Sequence, residues 1–150
     1  MSDHFLVVIP ADPQAALPEV ADTLRDALAR IAGTNEARVK RYGKLQFIDC
    51  GEAFEVIACP FCGGDITIEQ WHEWMDEDWH GEDGFHLHRH ETPCCQRDTN
   101  LNALTYTPHQ GFARWFVSAR NVGRGPLSQD EVAVLEKVAG IPLRAIVQMY

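Results

Sequence analysis

Apolar and polar positions along this chain follow two rhythms, one of period two and one of period 3.6, and the switches between them mark out the elements. Phe5 to Ile9 is an unbroken apolar run ended by Pro10, which predicts a buried strand. Pro13 and Pro18 lead into a segment where Val20, Leu24, Ala27, Leu28 and Ile31 recur at helical spacing, with charges on the other face. Pro18 suits the first turn of that helix and Gly33 its stop. Arg38 to Tyr42 alternates, Gly43 and Lys44 turn, and Leu45 to Ile48 alternates again, so two strands are expected there. Phe54 to Ala58 predicts another. The helical period returns from Ile66 to Trp79, with Trp71, Trp74, Met75 and Trp79 on one face. Gly81 and Gly84 break it, and Phe85 to His90 alternates as a strand. Tyr106 to Pro108 reads as a turn and Phe112 to Ala119 as a strand. Ser128 with Glu131 forms a capping box, opening a helix with Val132, Val134, Leu135 and Val138 inward and Gly140 as its stop. Leu143 to Met149 closes the chain as a strand.

Four of the five cysteines fall into two tight pairs, Cys59/Cys62 and Cys94/Cys95. The first lies in Cys59-Pro60-Phe61-Cys62-Gly63-Gly64, which reads as a zinc knuckle. Two thiolates at i and i+3 grip one metal only if the backbone turns sharply between them, and the glycines supply that freedom. The second pair would complete a tetrahedral four-sulfur site for structural Zn2+. A redox dithiol would call for a helix directly behind the pair, where Gly63 and Gly64 stand instead. Adjacent cysteines have less freedom to share one ion, so a histidine or Asp98 is an alternative fourth ligand; four unligated thiols or a disulfide is the plain alternative. The expected fold is α+β in one domain over residues 1–150. It has a mainly antiparallel sheet, two long helices on one face, and a zinc-clamped central excursion at about 59–95.

Pro93-Cys94-Cys95, Asn100 to Tyr106 (NLNALTY) and Gly111 to Arg114 (GFAR), together with the CPFCG run, resemble uncharacterised bacterial zinc-ribbon-like proteins that pair CPxCG with PCC and a following LNxLxY…GFAR segment. The likeness covers roughly residues 54 to 150. It implies four cysteines acting together and carries no activity with it.

At 45% hydrophobic and 23% charged, the composition is that of an ordinary globular protein. No apolar run approaches the ~20 residues of a membrane span. Met1 to His4 lack the basic start of a signal peptide, so a reducing cytoplasm is the expected location. Net charge is −9, and Glu69 to Glu91 holds eight acids against the single base Arg89. Such a field repels phosphate backbones and attracts basic proteins, which argues against nucleic acid as the partner.

Five of seven histidines fall within residues 72–90. On a strand, His86, His88 and His90 would share a face near His72 and His80, a candidate second metal site with Glu73 or Glu91 as base. The plain reading is a solvent-facing strand edge. Trp71, Trp74 and Trp79 read first as core, yet they share their segment with Asp76, Glu77 and Asp78, and aromatics ringed by carboxylates suit a basic protein surface. Arg38, Lys40, Arg41 and Lys44 read as a solvated sheet edge, and Cys50 as a buried thiol. Neither GxxxxGK[ST] nor GxSxG occurs. The expected function is a zinc-stabilised, non-enzymatic protein-binding module that neutralises a basic partner as bacterial immunity proteins do. The alternative is a metal-dependent hydrolase using the histidine-rich segment.

Overall fold

The computed structural model describes residues 3–150. β1 (His4–Pro10) is followed by α1 (Ala21–Ala32) and β2 (Ala37–Ile48). Next come β3 (Val56–Ala58), α2 (Ile68–Asp78), a 3₁₀ turn over Gly81–Asp83, and the short strands β4 (His90–Glu91), β5 (Asp98–Thr99) and β6 (Thr105–Thr107). β7 (Gly111–Arg120), α3 (Gln129–Ala139) and β8 (Leu143–Met149) complete the chain. The fold is α+β with a mainly antiparallel sheet, as expected, but the described residues form three helices of similar length rather than two long ones. Among the described residues, no helix is long and apolar enough to cross a membrane.

The main sheet runs β2-β7-β1-β8. Alternation divides its residues between two faces. Leu6 and Val8 of β1 with Trp115, Val117 and Ala119 of β7 pack beneath Leu24 and Leu28 of α1 and Leu135 of α3. Val7, Ile9, Phe116 and Ile146 form a second cluster with Ile48 and Cys50. Burial raises the pKa of the Cys50 thiol, which sits inside as read from the sequence. α1 ends on Gly33, whose φ of 72° permits the left-handed turn that returns its amide to Ala29 and Arg30. Ser128 and Glu131 make the expected capping box for α3. Leu135 and Ala139 are its buried residues, and Val134 faces solvent, one position off the expected stripe.

Two local readings are corrected by contacts far away in sequence. Gly43 and Lys44 do not turn the chain: β2 is continuous, and Tyr42 to Leu45 bulge out opposite Arg114 between the Arg41–Trp115 and Gln46–Ala113 pairs. The bulge is fixed from outside, because the Leu45 carbonyl accepts from the Phe85 amide at 3.1 Å and Lys44 Nζ donates to the Gly81 carbonyl at 3.1 Å. Tyr106 is likewise not in a turn but in β6, paired with Ile57 of β3.

From β3 to β6 the chain forms a layer with a core of its own. Ile57, Cys59, Ile66, Trp71, Trp74, Phe85, Leu101, Leu104 and Tyr106 pack against Leu45 and Phe112 of the sheet. The excursion is therefore not short of apolar surface, and β3–β6 pairing closes it outside the 59–95 bounds read from the cysteines. Trp71 Nε1 donates to the Tyr106 hydroxyl at 3.1 Å, which donates to the Leu101 carbonyl at 2.6 Å. Asn102 Oδ1 accepts from the Phe112 amide at 3.0 Å. At Gly111 a Cβ would lie 2.6 Å from the Arg144 guanidinium and 2.9 Å from Ile9. The LNALTY and GFAR segments are thus the seam between excursion and sheet.

Candidate metal centre

Both cysteine pairs occupy the loops of small hairpins. Cys59 leaves β3, and the chain folds back so that its amide bonds to the Gly64 carbonyl at 2.8 Å and the Gly63 amide to the Cys59 carbonyl at 3.0 Å. Gly63 has φ of 74°, and the turn aims the amides of Phe61 and Gly64 at Cys59 Sγ and Cys62 Sγ, each at 3.4 Å. Gly64 is needed for a second reason: a Cβ there would stand 3.2 Å from Cys94 Cβ.

The loop joining β4 to β5 repeats this backbone. Thr92 bonds through its amide to the Arg97 carbonyl at 2.8 Å, and the Gln96 amide bonds to the Thr92 carbonyl at 2.9 Å. Gln96 takes the left-handed conformation of Gly63, with φ of 56°. Aligned on these bonds, Thr92 stands where Cys59 stands, Pro93 where Pro60 does, and Cys95 where Cys62 does. The adjacency of Cys94 and Cys95 follows: Cys95 fills the second knuckle position, while Cys94 comes from the turn between. Thr92 is fully buried, accepts from the Arg97 amide at 3.0 Å, and lies 3.2 Å from Cys95 Sγ. Sequence reading passed over Thr92; the matching Thr-Pro and Cys-Pro steps were its only trace.

The two hairpins face each other. Cys62 Sγ lies 3.3 Å from Cys94 Sγ, Cys59 Sγ lies 3.7 Å from Cys95 Sγ, and all four sulfurs fall within 4.8 Å of one another. The set can hold a metal ion. Arg97 rests over the Phe61 ring at 5.4 Å and ties the hairpins on the outside. Burial raises the Cys59 pKa, but amide donors at Cys62 and Phe61 and the neighbouring thiols outweigh it and bring the group down to about 6. Hydrogen bonding to Cys62 and then burial push Cys94 up to about 12. Four thiols this close cannot all ionise without a cation, so an ion here would displace protons. Together the four thiols offer a single ion up to four sulfur ligands.

The histidines are sorted differently from the sequence reading. Residues 85–89 do not form a strand, and Leu87 adopts φ of 57°. His86 and His88 gather with His80, all three exposed, with their nearest ring nitrogens within 4.8 Å of one another. His90 turns inward instead. It is stacked on Trp74 at 5.0 Å, with Nε2 buried and unpartnered, and burial lowers its pKa in spite of Asp78 and Glu77. His72 is exposed on α2 beside Trp71. Neither Glu73 nor Glu91 joins the three gathered rings.

Of the six residues read as a partner-binding face, three are interior. Trp71 and Trp74 are 7% and 6% exposed and belong to the excursion core. Asp78 is fully buried because its carboxylate accepts three backbone amides, from His86 at 3.0 Å, Leu87 at 2.7 Å and His88 at 2.5 Å. Asp76, Glu77 and Trp79 remain on the surface, with Lys44 Nζ 4.8 Å over the Trp79 ring. A cavity of about 620 Å³ between α3, β8 and the end of β6 includes none of the cysteines or the gathered histidines. Compared with protein-family models, curated proteins and solved structures, the chain matches none.

Proposed function

We propose that the four cysteines hold one structural Zn2+ and that the domain is a non-enzymatic protein-binding module for a basic partner. Kinship with bacterial zinc-ribbon-like proteins belongs to the same proposal. A tetrahedral site with Zn–S bonds of ~2.3 Å has sulfurs about 3.8 Å apart, and the two close pairs stand at 3.3 and 3.7 Å. The amide-to-sulfur bonds support the metal further by offsetting thiolate charge.

The observation that carries the binding reading is charge. Between Lys44 and Arg89 the chain has no lysine or arginine. Glu69, Glu73, Asp76, Glu77, Glu82 and Asp83 are exposed on α2 and the turn after it, and none forms an ion pair with a lysine or arginine among the described residues. With Trp71 and Trp74 interior, Trp79 is the one tryptophan of the segment left to contact a partner. A small acidic protein of this kind neutralises a cationic surface by electrostatic steering, in the manner of an immunity protein acting on a basic toxin domain.

The test is affinity capture from cells that express the chain, comparing wild type with Glu73→Lys/Asp76→Lys/Glu77→Lys, then association kinetics on the recovered protein. Asp78 is left alone because it is buried. The wild-type on-rate should fall with added salt, and the variant should associate about tenfold more slowly with unchanged metal content. Equal on-rates for both forms remove this surface from the interface, and recovery of nucleic acid by the wild type overturns the partner class.

A further inference from the structure

We propose that His80, His86 and His88 form a second metal site, separate from the thiols, that takes one divalent first-row transition-metal ion through three ring nitrogens. Imidazole suits Zn2+, Co2+, Ni2+ and Cu2+ alike, and Co2+ is the probe that reports on the site.

The first argument is convergence. His80 Nε2 and His88 Nε2 are 2.7 Å apart, His80 and His86 stack at 3.9 Å, and the His86 and His88 rings lie 5.5 Å apart edge to face. One N–H···N bond accounts for the closest pair and stacking on His80 holds the third ring, but neither brings a nitrogen of all three rings within 4.8 Å of one another. Exposed rings gain little from burial, so packing gives no reason for three to crowd together, and a shared cation does.

The second argument is that the loop is built to hold them. Asp78 closes α2 with a carboxylate buried beneath the loop, and the amides of His86, Leu87 and His88 all turn in to it. This backbone nest requires Leu87 in the left-handed region, which a residue with a Cβ adopts only at a cost. On the other side, the 3₁₀ turn returns the Gly84 carbonyl to the His80 amide at 2.9 Å. Gly84 itself is pressed onto β2, where a Cβ would meet the Leu45 carbonyl at 2.5 Å. His80 is thereby fixed from one end of the loop and His86 and His88 from the other. A strained, pre-organised backbone under an exposed cluster is what a ligand site needs and what a plain connection does not. Glu82 and Asp83 in the intervening turn add negative potential, against Lys44, which is bonded to the Gly81 carbonyl, and Arg89, which is paired with Asp98.

Three protein ligands leave at least one coordination position, and it faces solvent. The cavities beside α3 and β8, between Tyr42 and Tyr150, and between Leu17 and Trp115 include none of these histidines. We therefore assign metal ligation with an exchangeable outer ligand, a water or a donor group from a bound molecule, and no catalytic step. Asp78 acts as a positioning residue through the backbone.

Cobalt titration of the metal-free, reduced full-length protein separates the two sites. The first equivalent should give the intense thiolate-to-metal charge-transfer bands of the cysteine site, and a second should give only the weak visible bands of nitrogen and oxygen ligation. His86→Ala/His88→Ala changes exposed residues only and should abolish the second equivalent while leaving the first intact. Asp78→Asn should weaken the second ion by about 10–100-fold, with the charge-transfer bands unchanged as proof that the excursion is still folded. Wild-type saturation at one equivalent overturns the site. So does a second equivalent that survives in the double variant, and an unchanged second affinity in Asp78→Asn overturns the role given to the nest.

Discussion

If the cysteines hold the proposed ion, its removal should cost the protein about 4 kcal/mol and loosen the two cysteine hairpins without dissolving the sheet. An ion held by both pairs is a cross-link between Cys62 and Cys94, 32 residues apart, and between Cys59 and Cys95, 36 apart. Cross-linking a ring of that size lowers the entropy of the unfolded chain by an amount worth about 4 kcal/mol. In a domain of this length each kcal/mol moves the midpoint by about 2–4 °C, so chelation should lower it by roughly 10 °C. The loss should be confined because the excursion has its own core, with Trp71, Trp74, Phe85 and Tyr106 packed on Leu45 and Phe112. Calorimetry with and without a chelator, in a phosphine reductant that does not bind zinc, measures the first effect. Hydrogen exchange measures the second: the amides of Cys59, Gly63, Gly64, Gln96 and Arg97 should lose protection while those of β1, β7 and β8 keep theirs. A midpoint that moves by less than about 2 °C although the metal has left would refute the cross-link argument. Global loss of protection would refute the claim of an independent core.

Two further outcomes follow from single side chains. Thr92→Val keeps the shape of the second hairpin but removes the acceptor of the Arg97 amide, so stability in urea should fall by about 1–3 kcal/mol while metal content stays at the wild-type level. Metal loss would instead make Thr92 part of the binding set. The hydrogen bond from Arg124 to the Glu131 carboxylate, helped by the Ser128 amide, holds Glu131 down at about 2, against an ordinary 4.5. A depressed carboxylate contributes stability above its unfolded value and loses it as the pH falls toward the folded one. The stability difference between wild type and Glu131→Gln should therefore be full at pH 6 and nearly gone at pH 2, and a constant difference would show that the carboxylate's charge is not what α3 uses.

What was legible in the sequence was whatever a local signal decides. β1, β7 and β8 announce themselves by apolar runs or alternation, and α1 and α3 by a periodic stripe ended by glycine, with a capping box opening the second. The Cys59 knuckle was legible too, because its turn chemistry lies within six residues. The failures share one cause: a partner distant in sequence overrides a local preference. Gly43 and Lys44 look like a hairpin turn, but contacts with Gly81 and Phe85 keep β2 continuous. Phe85 to His90 alternates like a strand, but Asp78 captures its amides and bends it. Asp78 was unreadable as a core residue because aspartate is almost never fully buried unless paired, and its partners were backbone groups that composition does not record. Counting it with Asp76 and Glu77 made one acidic face of what is an exposed surface and a buried anchor.

The charge pattern of α2 also supplies a test of whether its carboxylates are there for folding or for binding. Glu69 and Glu73 stand at i,i+4, Glu73 and Asp76 at i,i+3, and Glu73 and Glu77 at i,i+4, so each pair repels its helix by about 0.2–0.5 kcal/mol. Asp76 and Glu77 lie in the last turn, where no basic residue is present and the macrodipole disfavours negative charge by about 0.3–1 kcal/mol each. The helix tolerates this because Trp71 and Trp74 bury their rings, each worth about 1.5–3 kcal/mol. Glu77→Lys converts the repulsion from Glu73 into an i,i+4 attraction of favourable polarity and puts a cation at the helix end. It also removes the carboxylate 4.0 Å from His90, a weak contact because burial keeps that ring neutral. The variant should therefore be about 1 kcal/mol more stable than wild type in urea at neutral pH, with the gain shrinking in high salt, while association with the proposed basic partner slows. Stability gained as binding is lost is the signature of residues kept for function at the expense of the fold. If Glu77→Lys destabilises the protein instead, the carboxylate has a structural role and the acidic surface no longer argues for a partner.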